Sequence, residues 1–177
     1  MLFVGSFKVN QLLDGYFLYG AGVSLLFIPA GVKLLCILLG GLPALAGLYF
    51  AGVYVSSILW SNVPTVSSLT LALIAVCFYG VAVYWVTHLL KIRKDLSNLK
   101  YWHIIVLSAT TSLAHGWCLA MAYISQDIAT FQNVVPETLA IALGDFMGCF
   151  VVVMLFNITI RIAKKLRAKG PAERGVL

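Results

Sequence analysis

The stretch TVSSLTLALIAVCFYGVAVYWVTHLL (residues 65–90), followed directly by KIRKDLSNLK (residues 91–100), decides the fold of this chain. The first segment has no Asp, Glu, Lys or Arg, and it exceeds the ~20 apolar residues that a helix needs to cross a ~30 Å hydrocarbon core. The second segment is rich in Lys and Arg, which is typical of a loop on the cytoplasmic side of a membrane. We therefore predict an integral membrane protein.

Two further segments downstream have the same character. Residues 101–125 follow the basic loop, and residues 138–160 run into the basic segment 161–174. Residues 126–137, which separate the two, carry acidic but no basic residues. The charge rule then places residues 91–100 and the C-terminal tail in the cytoplasm and residues 126–137 outside.

The composition agrees with a single membrane domain. Of the 177 residues, 62% are hydrophobic and 10% charged, whereas a soluble domain is nearer half apolar and a quarter charged. The net charge of +6 is concentrated beside the apolar runs, which argues against nucleic acid as a partner. We assign residues 1–162 to a transmembrane helical bundle and residues 163–177 to a basic cytoplasmic tail.

The first sixty residues allow two arrangements. Residues 12–60 are almost continuously apolar and would reach roughly 75 Å as one helix, so the helix must break, either near Pro29 or at the Gly-Gly-Leu-Pro of residues 40–43. One break gives five spans. Both breaks give a first span, a short helix near residues 29–39 and a third span at residues 43–60. We predict an all-α membrane bundle with six (alternatively five) spans, broken at Pro29 and at residues 40–43.

Two ionisable residues lie inside apolar runs, Lys33 and Asp145. Such residues are costly in a bilayer, usually face the bundle interior and often mark function. Lys33 could instead extend to the lipid headgroups, and Asp145 could stay hydrated near the outer third of its helix. A direct ion pair would neutralise both. We expect the mid-span His115 to form an interhelical hydrogen bond rather than bind a metal. The predicted ligand-binding site comprises Lys33, Asp145 and His115, with Pro29 and Gly31 at the first break.

Motifs of catalysis are not found in the sequence. It has no nucleophile elbow, no phosphate-binding loop and no pair of neighbouring carboxylates. His, Cys and acidic residues do not show the close spacing of a metal or haem site. We therefore predict that the chain is not an enzyme, with no catalytic residues, no metal and no cofactor. Gly144 and Gly148 form a GxxxG pattern, which favours close helix packing either within the bundle or between two copies.

Three segments resemble a known family. FIPAGVKLL (residues 27–35) and LGGLPALAG (residues 39–47) are similar to the early W-P-x-x-G-x-A motif and the following Gly and Pro-Gly helix of the MASE1 family. LGDFMGC (residues 143–149) resembles the W-x-x-D-x-x-G motif that closes that domain. The chain departs from the family at Phe27 and Ile28, where Trp is usual, and at the more polar Lys33. It is also shorter than a domain of eight spans, and no kinase or cyclase output domain follows within the sequence.

The resemblance implies a function and a location. MASE1 domains are bacterial membrane-embedded sensory domains. The resemblance therefore implies a multi-pass protein of the bacterial inner membrane. It also implies that the protein binds a small molecule in its bundle and signals to a membrane or cytoplasmic partner protein. A looser resemblance to the substrate-binding S components of energy-coupling-factor transporters implies a transport role. An accessory or structural subunit of a larger membrane complex is the remaining alternative.

Overall fold

The computed structural model describes residues 1–20, 23–59, 65–93, 96–125 and 134–169. Within these residues the chain forms five helices and one small β-hairpin. In order they are α1 (Leu2–Phe17), β1 (Leu18–Gly20), β2 (Val23–Ser24), α2 (Ile28–Leu59), α3 (Thr65–Leu89), α4 (Tyr101–Ser125) and α5 (Val134–Lys169).

Four of the described helices are long and apolar enough to cross a membrane. The candidate spans are Ile28–Ile58, Leu69–Leu89, Tyr101–Ala122 and Thr138–Ile160. The prediction of a helical bundle is confirmed, and the three downstream predicted spans coincide with helices that are long and apolar enough to cross a membrane. The predicted count of six, or five, spans is not supported, because α1 has only 16 residues and falls short of the length that a bilayer requires.

The first predicted span is replaced by a helix and a hairpin. Helix α1 ends at Phe17, and β1 pairs antiparallel with β2 in a register that sets Leu18 opposite Ser24. The backbone N–H of Leu25 donates to the carbonyl oxygen of Phe17 at 2.8 Å, which closes the hairpin. The expectation of a continuous helix from residue 12 into the first break was therefore wrong.

The predicted break at Pro29 is confirmed. Helix α2 begins at Ile28 and places Pro29 in its first turn, where a missing N–H costs no hydrogen bond. The N–H of Ile28 donates to Asn10 Oδ1 at 2.9 Å, and the N–H of Phe27 donates to the carbonyl oxygen of Gly144 at 3.0 Å. Protein atoms thus satisfy the backbone groups that the break exposes, as a membrane interior requires.

The second predicted break is also present, at Gly41. Its backbone is non-helical, with φ 56° and ψ −137°, a conformation open mainly to glycine. The Phe7 ring packs against Phe27 with centroids 6.2 Å apart, and Phe7 also lines a groove with Val55. In a straight helix, residues 28 and 55 would be about 40 Å apart, too far for one side chain to reach both. Helix α2 therefore folds back at Gly41.

The two arms of α2 have different surroundings. The first arm (residues 28–40) lies inside the bundle and runs parallel to α5, with Gly31 against Gly148 and Val152. The second arm (residues 42–59) runs antiparallel to α3, where Gly80 touches Leu45. Helices α3, α4 and α5 alternate in direction. The buried core that joins them comprises Ala30, Leu34, Ile37, Leu48, Val76, Tyr79, Val83, Val86, Ile104, Leu107, Cys149 and Val153.

The directions of the helices can be compared with the topology predicted from the charged loops. Helices α3 and α5 both run toward the end that carries the loop between α3 and α4, which we call the basic face. Helix α5 continues to Lys169, so the predicted tail begins as helix. Residues 126–133 and 170–177, to which part of the predicted outer loop and tail belong, lie outside the described residues.

Candidate functional site: a buried Lys-His-Asp triad

Three ionisable side chains from three helices meet inside the bundle. Lys33 Nζ on the first arm of α2 lies 3.2 Å from His115 Nε2 on α4. The other ring nitrogen of His115, Nδ1, lies 2.5 Å from Asp145 Oδ2 on α5. Lys33 is 5% exposed, His115 4% and Asp145 1%. We call this group the triad.

The partners of His115 assign its protons. With Lys33 as an ammonium group, which has donors only, the lysine donates to Nε2, and Nε2 is then unprotonated. Nδ1 then carries the hydrogen and donates to the carboxylate of Asp145. The imidazole bridges a positive and a negative charge, so the triad as a whole is neutral. This matters because an unpaired charge in such a site is strongly destabilising.

Small residues let the three helices approach closely enough to form the triad. A methyl group at Gly148 would overlap the carbonyl oxygen of Phe27, and one at Gly144 would overlap that of Ser24. On α4, Gly116 packs against the backbone of α5, where an added Cβ would lie 2.8 Å from Thr138 O. The GxxxG pair thus packs within the bundle, against the segment that leads into α2.

Tyr79 of α3 packs against the triad at Lys33. Lys33 Nζ lies 4.2 Å from the centre of the Tyr79 ring, within the range of a cation–π interaction. The Tyr79 hydroxyl donates to the carbonyl oxygen of Ala30 at 3.3 Å and lies 3.2 Å from Cys149 Sγ. The ring therefore contacts the ammonium group while its hydroxyl is held by α2 and α5.

Hydroxyl groups flank the triad on both sides. Ser108 Oγ and Thr138 Oγ1 are buried and have no hydrogen-bond partner among the described residues. Ser112 Oγ faces the Cys149 thiol without meeting full hydrogen-bond geometry. Buried hydroxyls are normally paired, so this group is unusual.

The predicted site residues divide into two sets. Lys33, His115 and Asp145 come together, and His115 forms the interhelical hydrogen bonds expected of it. Lys33 and Asp145 do not form a direct ion pair, because the imidazole lies between them. The alternatives of Lys33 extending to headgroups and of a hydrated Asp145 were wrong, since both side chains are buried. Pro29 and Gly31 are buried packing residues that position Lys33.

Sequence reasoning did not single out Tyr79 or Asn10 for the site. Tyr79 lies near the middle of its helix rather than at an end, where membrane tyrosines are common, and this position was an available signal. Asn10 is 2% exposed, and its Nδ2 donates to Asp14 Oδ1 at 2.8 Å while its Oδ1 accepts from Ile28 N. No local pattern indicates this contact, because it depends on the chain doubling back after α1.

The imidazole of the triad has a hydrogen-bond partner at each of its two ring nitrogens. An imidazole hydrogen-bonded at both nitrogens can accept a proton on one and release one from the other. Among the described residues, no three His, Cys, Asp or Glu side chains lie where they could share a metal ion.

Comparison of the chain with known protein families, with curated proteins and with solved structures finds no match.

Proposed function

We propose that the chain is a MASE1-like membrane sensory module that binds a small molecule inside its helix bundle at the triad and signals to a partner protein. The ligand's polar end would compete with His115 for Lys33 and Asp145. A change in these contacts alters the packing of α2 against α5, which is the signal that the partner senses.

One observation carries this proposal. The two segments that resemble the family, residues 27–35 and 143–149, are far apart in sequence but pack directly on each other. Phe27 N donates to Gly144 O, Gly31 lies against Gly148, and the ionisable residues of both segments are joined through His115. Ionisable groups at such an interface are expected at functional sites of membrane proteins.

Helix α5 supplies the route for a signal. It continues without a break from Asp145 to Lys169, a length of roughly 36 Å at 1.5 Å per residue. A rotation or shift of α5 at the triad therefore moves its basic end, where we place the partner in the cytoplasm of a bacterial cell.

A ligand screen by thermal unfolding in lipid nanodiscs tests the proposal. A ligand present at one hundred times its Kd stabilises the protein by about 2.7 kcal/mol. The gain is expected in the parent protein and in Lys100→Met, which alters an exposed loop lysine. It should vanish in Lys33→Met combined with Asp145→Leu, which removes both charges together. Equal stabilisation of that double variant would refute binding at the triad.

A second candidate is the substrate-binding component of a transporter. It is favoured by the first arm of α2, which begins inside the bundle and turns back at Gly41. Broken helices that end at membrane depth are characteristic of transporter substrate sites. Coupled uptake decides between the two functions: a transport component moves its ligand into cells together with an ATPase module, whereas a sensor binds the ligand without accumulating it.

A further inference from the structure

The polar side chains around the triad are not distributed at random. One face of α4, an arc of about 100° at 3.6 residues per turn, carries the buried Ser108, Thr111, Ser112 and His115. Thr111 donates to the carbonyl oxygen of Leu107 at 2.7 Å, so its hydroxyl is satisfied by its own helix. Ser108, although on the same face, has no such bond among the described residues.

Ser108 and Ser112 lie on the side of the triad that faces the basic loop. Helix α4 begins at Tyr101, directly after that loop, and Ser108 precedes His115 by about 10 Å along the helix axis. The next polar residue of α4 toward the loop is the buried His103. Thr138 lies on the opposite side, about 10 Å from Asp145 along α5.

An unpaired hydroxyl in a packed interior costs about 1–3 kcal/mol. A water molecule that makes two to four hydrogen bonds removes that cost, and successive hydroxyls one turn apart along α4 supply such bonds. Ordered water between hydroxyls is also the arrangement through which protons move.

We propose that the triad is an internal proton-binding site, which exchanges its proton with the basic face through water molecules bound by Ser108 and Ser112. The ligands are hydronium and water. The proposal requires no small-molecule ligand, so it stands or falls separately from the sensory function.

The proton balance of the triad is simple. In the resting form Lys33 is an ammonium, His115 is neutral and Asp145 is a carboxylate. A proton that arrives along α4 displaces the Lys33 ammonium from the Nε2 atom of His115 and binds there, while Nδ1 passes its hydrogen to Asp145. The imidazole returns to the neutral state in its other tautomer, Asp145 becomes a carboxylic acid, and the triad gains one positive charge. Release follows the reverse path.

Four helices contribute ionisable side chains to the triad and its surroundings. The ionisable side chains that face it are Lys33 from α2, Tyr79 from α3, His115 from α4, and Asp145 and Cys149 from α5. After proton uptake Nε2 carries a hydrogen and no longer accepts from the Lys33 ammonium, which is then held only by the Tyr79 ring. Proton uptake is therefore expected to loosen α2 from α5.

Infrared difference spectroscopy of the protein in nanodiscs tests the proposal. A carboxylic acid band that appears when the pH is lowered reports protonation of a carboxylate, and the difference between the parent and Asp145→Asn isolates the band of Asp145. We expect this band in the parent protein and not in Asp145→Asn. The double variant Lys33→Met with Asp145→Leu, which carries no unpaired charge, provides the same comparison if Asp145→Asn does not fold.

The route is tested by the rate at which the band forms after a pH jump. Ser108→Ala combined with Ser112→Ala should slow it at least about tenfold, whereas Thr110→Val, an exposed hydroxyl on the same helix, should leave it unchanged. Absence of the band would overturn the proton site. A rate unaffected by the serine changes, or slowed only by Thr138→Val, would overturn the route through α4.

Discussion

Replacing Lys33 by Met and Asp145 by Leu, singly and together, measures how strongly the triad holds the bundle. Each single change removes one charge and leaves the other buried, with 5% exposure for Lys33 and 1% for Asp145. Breaking a buried pair in this way costs about 3–5 kcal/mol. The double variant leaves no charge, and its main cost is the unpaired imidazole of His115, about 1–3 kcal/mol. The two changes should therefore couple by at least about 3 kcal/mol.

The assay is reversible unfolding in mixed micelles, followed by circular dichroism for the parent and the three variants. Lys8→Met combined with Asp145→Leu is the matched control, because Lys8 is exposed on α1. Its effects should add within about 0.5 kcal/mol. If Lys33 and Asp145 are just as additive, the imidazole does not link them energetically, and the assignment of a bridged charge pair is wrong.

Three further predictions follow from the packing and the charge distribution. Gly148→Ala should destabilise the protein by about 1–3 kcal/mol in the same unfolding assay, because the new methyl group would overlap the carbonyl oxygen of Phe27; parent-like stability would show that this contact is loose. Gly41→Ala should lower the free energy of unfolding by at least about 1 kcal/mol, because the φ of Gly41 is 56°. Gly47→Ala is the control, since Gly47 lies in helix with open space around it, and it should be neutral or stabilising by up to about 1 kcal/mol. Equal effects of the two changes would argue against the turn at Gly41. Ser97→Cys in the basic loop should not react with an impermeant thiol reagent in intact cells but should react after lysis, with the parent chain as control. Labelling in intact cells would show that the assigned topology is the wrong way round.

The sequence predicted the downstream half of the fold well and the first sixty residues only in outline. Residues 65–90, 101–125 and 138–160 are single apolar runs with charged flanks, so length alone defines them. The breaks at Pro29 and Gly41 were also found, because Pro and Gly act locally. Local patterns do not contain the direction of the chain, because the reversal at Gly41 and the pairing of β1 with β2 depend on contacts between distant segments.

The site was predictable to a similar degree. Lys33 and Asp145 were conspicuous because each is an ionisable residue in apolar sequence, and the expectation that they face a common interior agrees with their position. The bridge was not predictable, since a direct pair and a bridged pair have the same sequence. His115 lies between them because Gly116, the residue that follows it, brings α4 against α5.

The doubled-back helix explains why such a costly group of charges is found inside so small a bundle. A straight helix through residues 28–59 would carry Lys33 near one end, within reach of the headgroups. Reversal at Gly41 instead starts the first arm beside Gly144 and Gly148, and it directs Lys33 inward, where Asp145 and His115 are the partners available. The arm is short, and its start is held by a few hydrogen bonds to Asn10 and Gly144. We therefore expect the position of the arm to respond to the charge state of the triad, which is how both proposals couple a bound ligand or proton to the packing of α2.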